Sequence, residues 1–192
     1  MRHWPAAELN DGIMASENKA FQVLADIARR SLQFARGLPA QVEITPVWTG
    51  VGFVLGGRHM VAPMSEVAEL TTLPAITALP GVQPWMLGVT NLRGRLLPLV
   101  DLETFFHTGA GLTRTRRVLS VEKDDLYSGL VVSEVFGMQH FPVDTFVQES
   151  TDVPTEIAPF VRGAYRHEGR EWVVFSPFAL AVDSRFLNAA AA

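Results

Sequence analysis

Histidines and paired carboxylates are the side chains of this sequence that could bind a metal or carry acid–base catalysis. The five histidines are spread over the whole chain, at His3, His59, His107, His140 and His167. Their spacing does not match a zinc motif such as H-E-x-x-H, which places two histidines on one face of a helix. His59 and His140 fall within apolar, strand-like sequence, where a structural histidine is the expected role. The histidines therefore predict no metal site.

The sequence also lacks the motifs of common enzyme classes. G-x-S-x-G, the P-loop and G-x-G-x-x-G are absent, and Gly50-Val51-Gly52 has neither the third glycine nor a following helix. Asp101 and Glu103 are the carboxylate pair nearest to a glycine turn, but these positions are not expected to act as a pair, on the argument of strand alternation. Asp101 is separately expected to cap the turn that begins at Leu102. The chain has no cysteine, which excludes disulfides, thiolate nucleophiles and cysteine-ligated zinc. We therefore predict a protein without enzymatic activity or cofactor.

Arg93 is the charged residue whose position has no local structural explanation. It lies at the tip of a turn from Asn91 to Gly94, with no obvious acid beside it in the sequence. Asn91 and Gly94 themselves fit the turn, since Asn forms Asx turns and Gly adopts a positive φ. The planar guanidinium of Arg93 suits a carboxylate on another protein, or else a carbonyl or acid elsewhere in the same fold. The residues alone leave these two readings open.

A single amphipathic helix is predicted over residues 16–36. Its apolar residues recur at helical spacing on one face, while Ser16 and Gly37 fit the N-cap and the position after the C-terminus. Pro39 then prevents continuation of the helix. An apolar face this wide needs a partner, which is either the body of the same protein or a second protein.

Short β-rich runs alternate with turn residues from about residue 41 onward. Gly56-Gly57, Lys123-Asp124-Asp125 and His167-Glu168-Gly169-Arg170 fit hairpin turns. Many short strands at near-regular spacing indicate barrels or a sandwich, not an alternation of strands and helices. The predicted strands are Val42–Trp48, Val51–Leu55, Arg58–Ala62, Glu66–Leu70, Trp85–Thr90, Arg95–Val100, Arg116–Glu122, Leu126–Val135, Phe160–Arg166 and Glu171–Phe175.

A weak internal repeat suggests two units of similar design. Leu92-Arg93-Gly94 precedes a strand that ends at Leu99-Val100-Asp101-Leu102. Val161-Arg162-Gly163 likewise precedes a strand that ends at Phe175-Ser176-Pro177-Phe178. The repeat favours two small barrels.

Residues 87–106, LGVTNLRGRLLPLVDLETFF, resemble the signature of the CheW-like domain. In that signature a G-V-x-N-L-R-G turn precedes an apolar P-[VL]-x-D-L strand, which here are residues 88–94 and 98–102. The resemblance extends over roughly residues 48–182, although Ser133 stands where an Asp is commoner. The N-terminal helix, the entry at 48–52 and the ending at 175–178 are more similar to the PilI branch of this family, which serves twitching motility and type IV pili.

The resemblance implies a mainly β fold of two small five-stranded, SH3-like barrels, preceded by the N-terminal amphipathic α-helix. The expected organisation is an N-terminal extension over residues 1–40, a CheW-like domain over residues 41–184 and a C-terminal tail over residues 185–192. The position of the boundary between the two barrels is left open, because strands can be exchanged between them.

The resemblance also implies a non-catalytic adaptor that couples a methyl-accepting chemoreceptor to a CheA-like histidine kinase in control of twitching motility. Its expected partners are the cytoplasmic tip of the receptor and a kinase with a CheW-like regulatory domain. Matched to the family, the protein-binding residues are Val67, Glu69, Asn91, Arg93 and Gly94. From the residues alone, Val67 fits a buried strand position and Glu69 a solvated one.

Composition restricts the remaining function classes. The net charge of −4 argues against nucleic acid, although a small-barrel nucleic-acid-binding protein is the alternative and would use the basic cluster Arg114-Thr115-Arg116-Arg117. The first 21 residues lack the apolar run of a secretory signal, and the longest uncharged apolar stretch, Trp172–Val182, is too short to span a bilayer. We therefore expect a cytoplasmic protein without direct membrane insertion, which its partners could recruit to membrane receptor arrays.

Overall fold

The computed structural model describes residues 19, 21–31, 33, 46–109, 116–150 and 153–191, and the chain divides into two units, residues 1–44 and 45–192. In the first unit the described residues are helical, and this helix is called α1. The predicted helix is thereby confirmed, whereas its predicted ends at residues 16 and 36 lie outside the described residues. Among the residues that the structure describes, no helix is long and apolar enough to cross a membrane.

The described part of the second unit contains eleven strands and three short helices. The helices are α2 (Leu102–Phe105), α3 (Pro177–Leu180) and α4 (Ser184–Leu187). Single 3-10 turns cover Met64–Glu66, Val143–Thr145 and Ala158–Phe160. The strands are β1 (Val47–Leu55), β2 (Arg58–Pro63), β3 (Glu69–Thr72), β4 (Met86–Leu92), β5 (Arg95–Asp101), β6 (Arg117–Lys123), β7 (Leu126–Val132), β8 (Glu134–Pro142), β9 (Phe146–Val147), β10 (Val161–His167) and β11 (Arg170–Phe175).

These strands form two curled sheets, with the order β8-β1-β2-β11-β10-β9 in the six-stranded sheet and β3-β6-β7-β5-β4 in the five-stranded sheet. The mainly β fold of two small barrels is confirmed. The strand after each central hairpin crosses to the other sheet: β3 follows β1–β2 but pairs with β6, and β8 follows β6–β7 but pairs with β1. The sixth strand, β9, was not predicted because its two residues are too few for an alternating pattern.

Tight two-residue turns join the hairpins at the positions that the sequence predicts. Gly56-Gly57 joins β1 to β2, and Asp124-Asp125 joins β6 to β7. In the turn between β4 and β5, Arg93 and Gly94 have φ values of 54° and 81°. Two successive positive φ values are those of a type I′ turn, whose twist matches that of the flanking strands.

Several predicted strands differ from those observed. The predicted strand Glu66–Leu70 is a 3-10 turn ending at Glu66 followed by β3 from Glu69, because the Glu66 side chain is buried and bonded where the chain leaves the six-stranded sheet. The predicted strand Leu126–Val135 is two strands, with the break at Ser133, where the chain crosses between sheets, and β8 continues to Pro142, beyond the predicted end. Residues 42–45 of the first predicted strand lie outside the described residues, and its last residues join the predicted strand Val51–Leu55 in the single strand β1.

The internal repeat is present in a different register from the one predicted. The structural counterpart of the Arg93-Gly94 turn is Glu168-Gly169, which joins β10 to β11 with φ values of 51° and 73°. Gly163 instead corresponds to Gly88, since both lie at a register shift near the start of a strand and have φ values of 138° and 133°. The prediction aligned Gly94 with Gly163 because it compared residue types without knowing where each glycine lies in its strand.

Three apolar clusters stabilise the described part of the second unit. The largest draws side chains from both sheets, whereas each smaller cluster belongs to one sheet only. Met60 and Ala62 of β2 enter the shared cluster, while Val61 between them enters the cluster of the six-stranded sheet. This alternation follows from the two-residue period of a strand. The shared cluster therefore joins the two sheets into one core.

The chain end, predicted to be a tail over residues 185–192, makes specific contacts. Phe186 of α4 is buried and stacks on Trp85, with ring centroids 6.3 Å apart. Beyond α4, Ala190 forms a β-bridge with Val82 in the connection between β3 and β4. This connection is also held at Thr77, which exchanges two backbone hydrogen bonds with Val89 of β4.

Candidate protein-binding site

The β4–β5 turn presents Arg93 at one end of the five-stranded sheet. Oδ1 of Asn91 accepts a hydrogen bond from the Gly94 backbone N–H at 2.8 Å, which closes the turn as an Asx side chain can. Arg93 occupies the left-handed region, where a non-glycine residue is strained. Its side chain is 77% exposed. The three predicted residues Asn91, Arg93 and Gly94 therefore lie together in one turn.

The first residue of β3 and the segment just before that strand supply the other two predicted residues, Glu69 and Val67. The Ala68 N–H donates to the Ser120 carbonyl at 2.8 Å, and the Ser120 hydroxyl donates to the Glu69 carbonyl at 3.2 Å. Val67 is half-buried and packs against the core shared by the sheets. Glu69 is the first residue of β3, and its side chain is 27% exposed.

Glu69 and Arg93 form an ion pair across the end of the barrel. Nη2 and Nε of Arg93 donate to Oε1 of Glu69 at 2.9 and 3.3 Å. β3 and β4 are the two edge strands of the five-stranded sheet, so the pair joins its opposite edges. Of the two readings left open for Arg93, an acid elsewhere in the fold is the one that the structure shows. No local sequence pattern points to this acid, which is 24 residues away.

A second ion pair was missed by the sequence analysis. Arg95 donates from Nη2 and Nη1 to the two carboxylate oxygens of Glu122 at 2.9 and 3.0 Å, and its guanidinium lies 3.9 Å from the centroid of the Tyr127 ring. The hydrogen bond from Arg95 lowers the pKa of Glu122, and the same bond raises the pKa of Arg95. On β6, Glu122 lies two residues beyond Ser120, the partner of Glu69, and so shares its face.

The remaining candidates from the sequence have structural roles. Asp101 caps α2 by accepting from the Glu103 N–H at 3.1 Å, as expected, and it is also paired with Arg116. Glu103 is buried and accepts from the Gly56 N–H and the Ser133 hydroxyl. Residues 114 and 115 of the basic cluster lie outside the described residues, and the Arg116 side chain is largely buried. In the described ranges no group of three or more His, Asp or Glu side chains is arranged to hold a metal ion.

Comparison with known proteins places this geometry in a family. The model of the CheW-like domain matches residues 49–185. The chain is 49% identical over 178 residues to protein PilI of Pseudomonas aeruginosa, a match that covers 92% of this chain and 99% of that protein. It is 27% identical over 111 residues to chemotaxis protein CheW of Bacillus subtilis, covering 54% of this chain and 71% of the relative.

The fold agrees with a solved structure. The crystal structure of the scaffolding protein TtCheW from Thermoanaerobacter tengcongensis superposes with a TM-score of 0.62 and covers 72% of this chain and 95% of that one, at 24% sequence identity. The family model covers more than half of the chain, and the match to PilI covers nearly all of it. The chain belongs to the CheW-like family.

Proposed function

We propose that this chain is a non-catalytic adaptor that couples a methyl-accepting chemoreceptor to a CheA-like histidine kinase in the control of type IV pilus twitching motility. The observation that carries the proposal is the 49% identity to PilI over nearly the whole of both chains. The proposed partners are the cytoplasmic tip of the receptor and a CheW-like regulatory domain of the kinase. The adaptor would work in the cytoplasm and be recruited to membrane receptor arrays through these partners.

We propose further that the partner-binding surface consists of Val67, Glu69, Asn91, Arg93 and Gly94. Bonds to Glu69 use only part of the donor set of Arg93, and most of its side chain faces solvent. A guanidinium already held in one orientation loses less entropy when it binds a further carboxylate than a free one does.

Exposed apolar side chains occur on the strands that carry this charged pair. Leu70 follows Glu69 in β3 and is 42% exposed, and Leu96 lies opposite Asn91 in the β4–β5 hairpin and is 67% exposed. Exposed apolar side chains together with an arginine have the composition of protein–protein interfaces. The site therefore supports binding of a protein more than binding of a small molecule.

The alternative of a small-barrel nucleic-acid-binding protein is not favoured by these contacts. Arg93 and Arg95 are each paired with a carboxylate at this end of the barrel, and Arg116 is paired with Asp101. Phosphate contacts need arginines and lysines whose charge is not already neutralised. We infer that nucleic acid is not a partner.

Affinity purification from native cells tests the proposal. The tagged chain is expected to retain a kinase with a CheW-like domain and a methyl-accepting receptor, both identified by mass spectrometry, and Arg93→Glu is expected to lose them. The matched control is Arg166→Glu, because Arg166 is also exposed and ion-paired but lies on β10 of the six-stranded sheet. Retention of neither protein by the wild-type chain, or equal loss by both variants, would refute the assignment.

A further inference from the structure

Glu66 is a buried carboxylate at the point where the chain leaves the six-stranded sheet for β3. It is the last residue of the 3-10 turn Met64–Glu66, which follows β2, and only 4% of its surface is exposed. A buried carboxylate is tolerated where cations and hydrogen-bond donors compensate for its lost hydration. The identity of those donors determines what the residue holds in place.

Within the described residues, the hydrogen bonds and the ion pair of the Glu66 side chain come from β10 and from the start of α3. Nη2 of Arg162 lies 2.8 Å from Oε1, while the Ser176 hydroxyl and the Phe178 N–H donate to Oε2 at 2.8 and 2.9 Å. The same Nη2 of Arg162 donates to the Ser176 hydroxyl at 2.8 Å. Ser176 is also the N-cap of α3. The network therefore fixes Glu66 to β10 and to the start of α3.

Only Val67 and Ala68 separate this network from the proposed binding strand. The Ala68 N–H is bonded to Ser120 of β6, and Glu69 begins β3. The crossing segment is consequently held at two points, by the six-stranded sheet at Glu66 and by the five-stranded sheet at Ala68. Two residues of extended chain span at most about 7 Å, so a displacement of Glu66 is transmitted to Glu69.

We propose that Glu66 and Arg162 are a positioning pair that holds β3 in place and thereby keeps Glu69 in contact with Arg93. The six-stranded sheet then takes part in shaping a binding site that lies on the five-stranded sheet. The positioning role concerns the isolated chain, and only its consequence for binding rests on the proposed adaptor function.

Glu103 provides a matched control, because it is a second buried carboxylate in an equivalent place. Its oxygens accept from the Gly56 N–H at 3.1 and 3.0 Å and from the Ser133 hydroxyl at 2.7 Å. It thus holds the β1–β2 turn and the crossing from β7 to β8, and not the crossing to β3. The Thr108 hydroxyl also donates to Glu103, so these donors to Glu103 are all neutral, whereas Glu66 is paired with Arg162. Both carboxylates are buried and accept several hydrogen bonds, but at different crossings.

Hydrogen exchange of the full chain, followed by mass spectrometry, tests the positioning role. Glu66→Gln is expected to accelerate exchange at residues 68–72 about tenfold, the factor expected when charge-assisted hydrogen bonds are lost. Glu103→Gln is expected to accelerate exchange near residue 56 and to leave residues 68–72 unchanged. Uniform acceleration along the chain in Glu66→Gln, or unchanged exchange at residues 68–72, would show that Glu66 does not position β3.

Arg162 variants test the other half of the pair. Arg162→Met leaves the Glu66 carboxylate buried without its cation, so its effect on residues 68–72 is expected to exceed that of Glu66→Gln. Adding Glu66→Gln to Arg162→Met is expected to recover part of the protection. If Arg162→Met does not fold, Arg162→Lys and Ser176→Ala carry the same comparison with a smaller perturbation. Protection of residues 68–72 that stays at the wild-type level in all Arg162 and Ser176 variants would contradict the proposal.

The binding consequence is measured separately. In the affinity purification, Glu66→Gln is expected to retain several-fold less kinase or receptor than Glu103→Gln does. If even the wild-type chain retains neither protein, the adaptor function fails while the exchange result still decides the positioning role. If the wild-type chain binds and Glu66→Gln binds equally well despite faster exchange at β3, the link between positioning and binding is wrong.

Discussion

Nη2 of Arg93 lies 2.9 Å from Oε1 of Glu69, so one ion pair joins the two edges of the five-stranded sheet. Both residues were selected from the sequence for contact with partner proteins, and the structure shows that they contact each other. The pair closes the barrel end, and the proposed function gives it a second role, the presentation of a guanidinium to a partner. An exposed pair of this kind contributes about 0.2–1 kcal/mol to stability, so closure alone is a weak reason for it.

A charge swap separates the two roles. Glu69→Arg combined with Arg93→Glu restores the internal pair with its direction reversed, and we expect stability within about 0.5 kcal/mol of wild type, since exposed pairs contribute little. If Arg93 itself contacts a carboxylate of the partner, the swapped chain remains unable to bind. Urea unfolding and affinity purification measure the two effects. Recovery of binding in the swapped chain would show that only the closure matters.

The contribution of the Arg95–Glu122 pair is expected to depend on pH. The folded chain lowers the pKa of Glu122 below its ordinary value of 4.5, so this contribution is present above pH 4.5 and is lost as pH falls through the lower, folded pKa. Wild type and Glu122→Gln should therefore differ most in stability near neutral pH and converge in acid. Urea unfolding between neutral pH and pH 3 checks this. A difference that grows on acidification would contradict the sign of the pKa shift.

The hairpins and the β4–β5 turn were predictable from sequence because their determinants are local. Gly56-Gly57 and Gly94 meet the backbone requirements of two-residue turns, and those requirements are readable in a few residues. The turn at Asn91–Gly94 was located for the same reason. Its signature also identified the family, although the partner residues that it implies remain predictions.

The missed features depend on pairing between distant segments. Glu69 meets Arg93 only because β3 leaves the β1–β2 hairpin and joins the other sheet, a crossing for which the sequence has no local signal. Glu66 was placed within a strand, and its buried network with Ser176 bridges 110 positions. Periodicity reports which side chains are apolar, but it does not report which strands are neighbours.

Deleting residues 189–192 is expected to loosen the connection between β3 and β4 without unfolding the chain. The deletion removes three hydrogen bonds: from the Gln83 N–H to the Ala189 carbonyl and from Nε2 of Gln83 to the Ala190 carbonyl, at 2.9 Å each, and from the Ala191 N–H to the Gly81 carbonyl at 3.0 Å. Exposed hydrogen bonds contribute about 1 kcal/mol each, so we expect a loss of roughly 3 kcal/mol. Thermal unfolding and hydrogen exchange at residues 81–83 measure the effect.

Gln83→Ala serves as the graded control for this deletion, because it removes the side-chain bond and leaves the two backbone bonds. Its loss of stability should be about a third of that caused by the deletion. A deletion with no effect on exchange at residues 81–83 would show that the chain end does not restrain the connection.

Gly88 is expected to be the glycine of the β4–β5 hairpin that tolerates substitution least. A Cβ at this position would lie 2.2 Å from the Thr77 carbonyl oxygen, and φ is 133°. Thr77 cannot move away without losing its two hydrogen bonds to Val89, at 2.8 and 2.9 Å. Gly88→Ala should therefore cost about 3 kcal/mol or more, from backbone strain and overpacking together.

Gly94→Ala is the control for Gly88→Ala, because it shares the positive φ without the crowding. Its φ is 81°, and no described atom lies within 4 Å of a Cβ built there. Only the left-handed backbone conformation then opposes the substitution, at about 1–2 kcal/mol. Urea unfolding of the two variants compares them directly. Equal losses would mean that φ alone governs both positions and that the close approach of Thr77 to β4 contributes nothing.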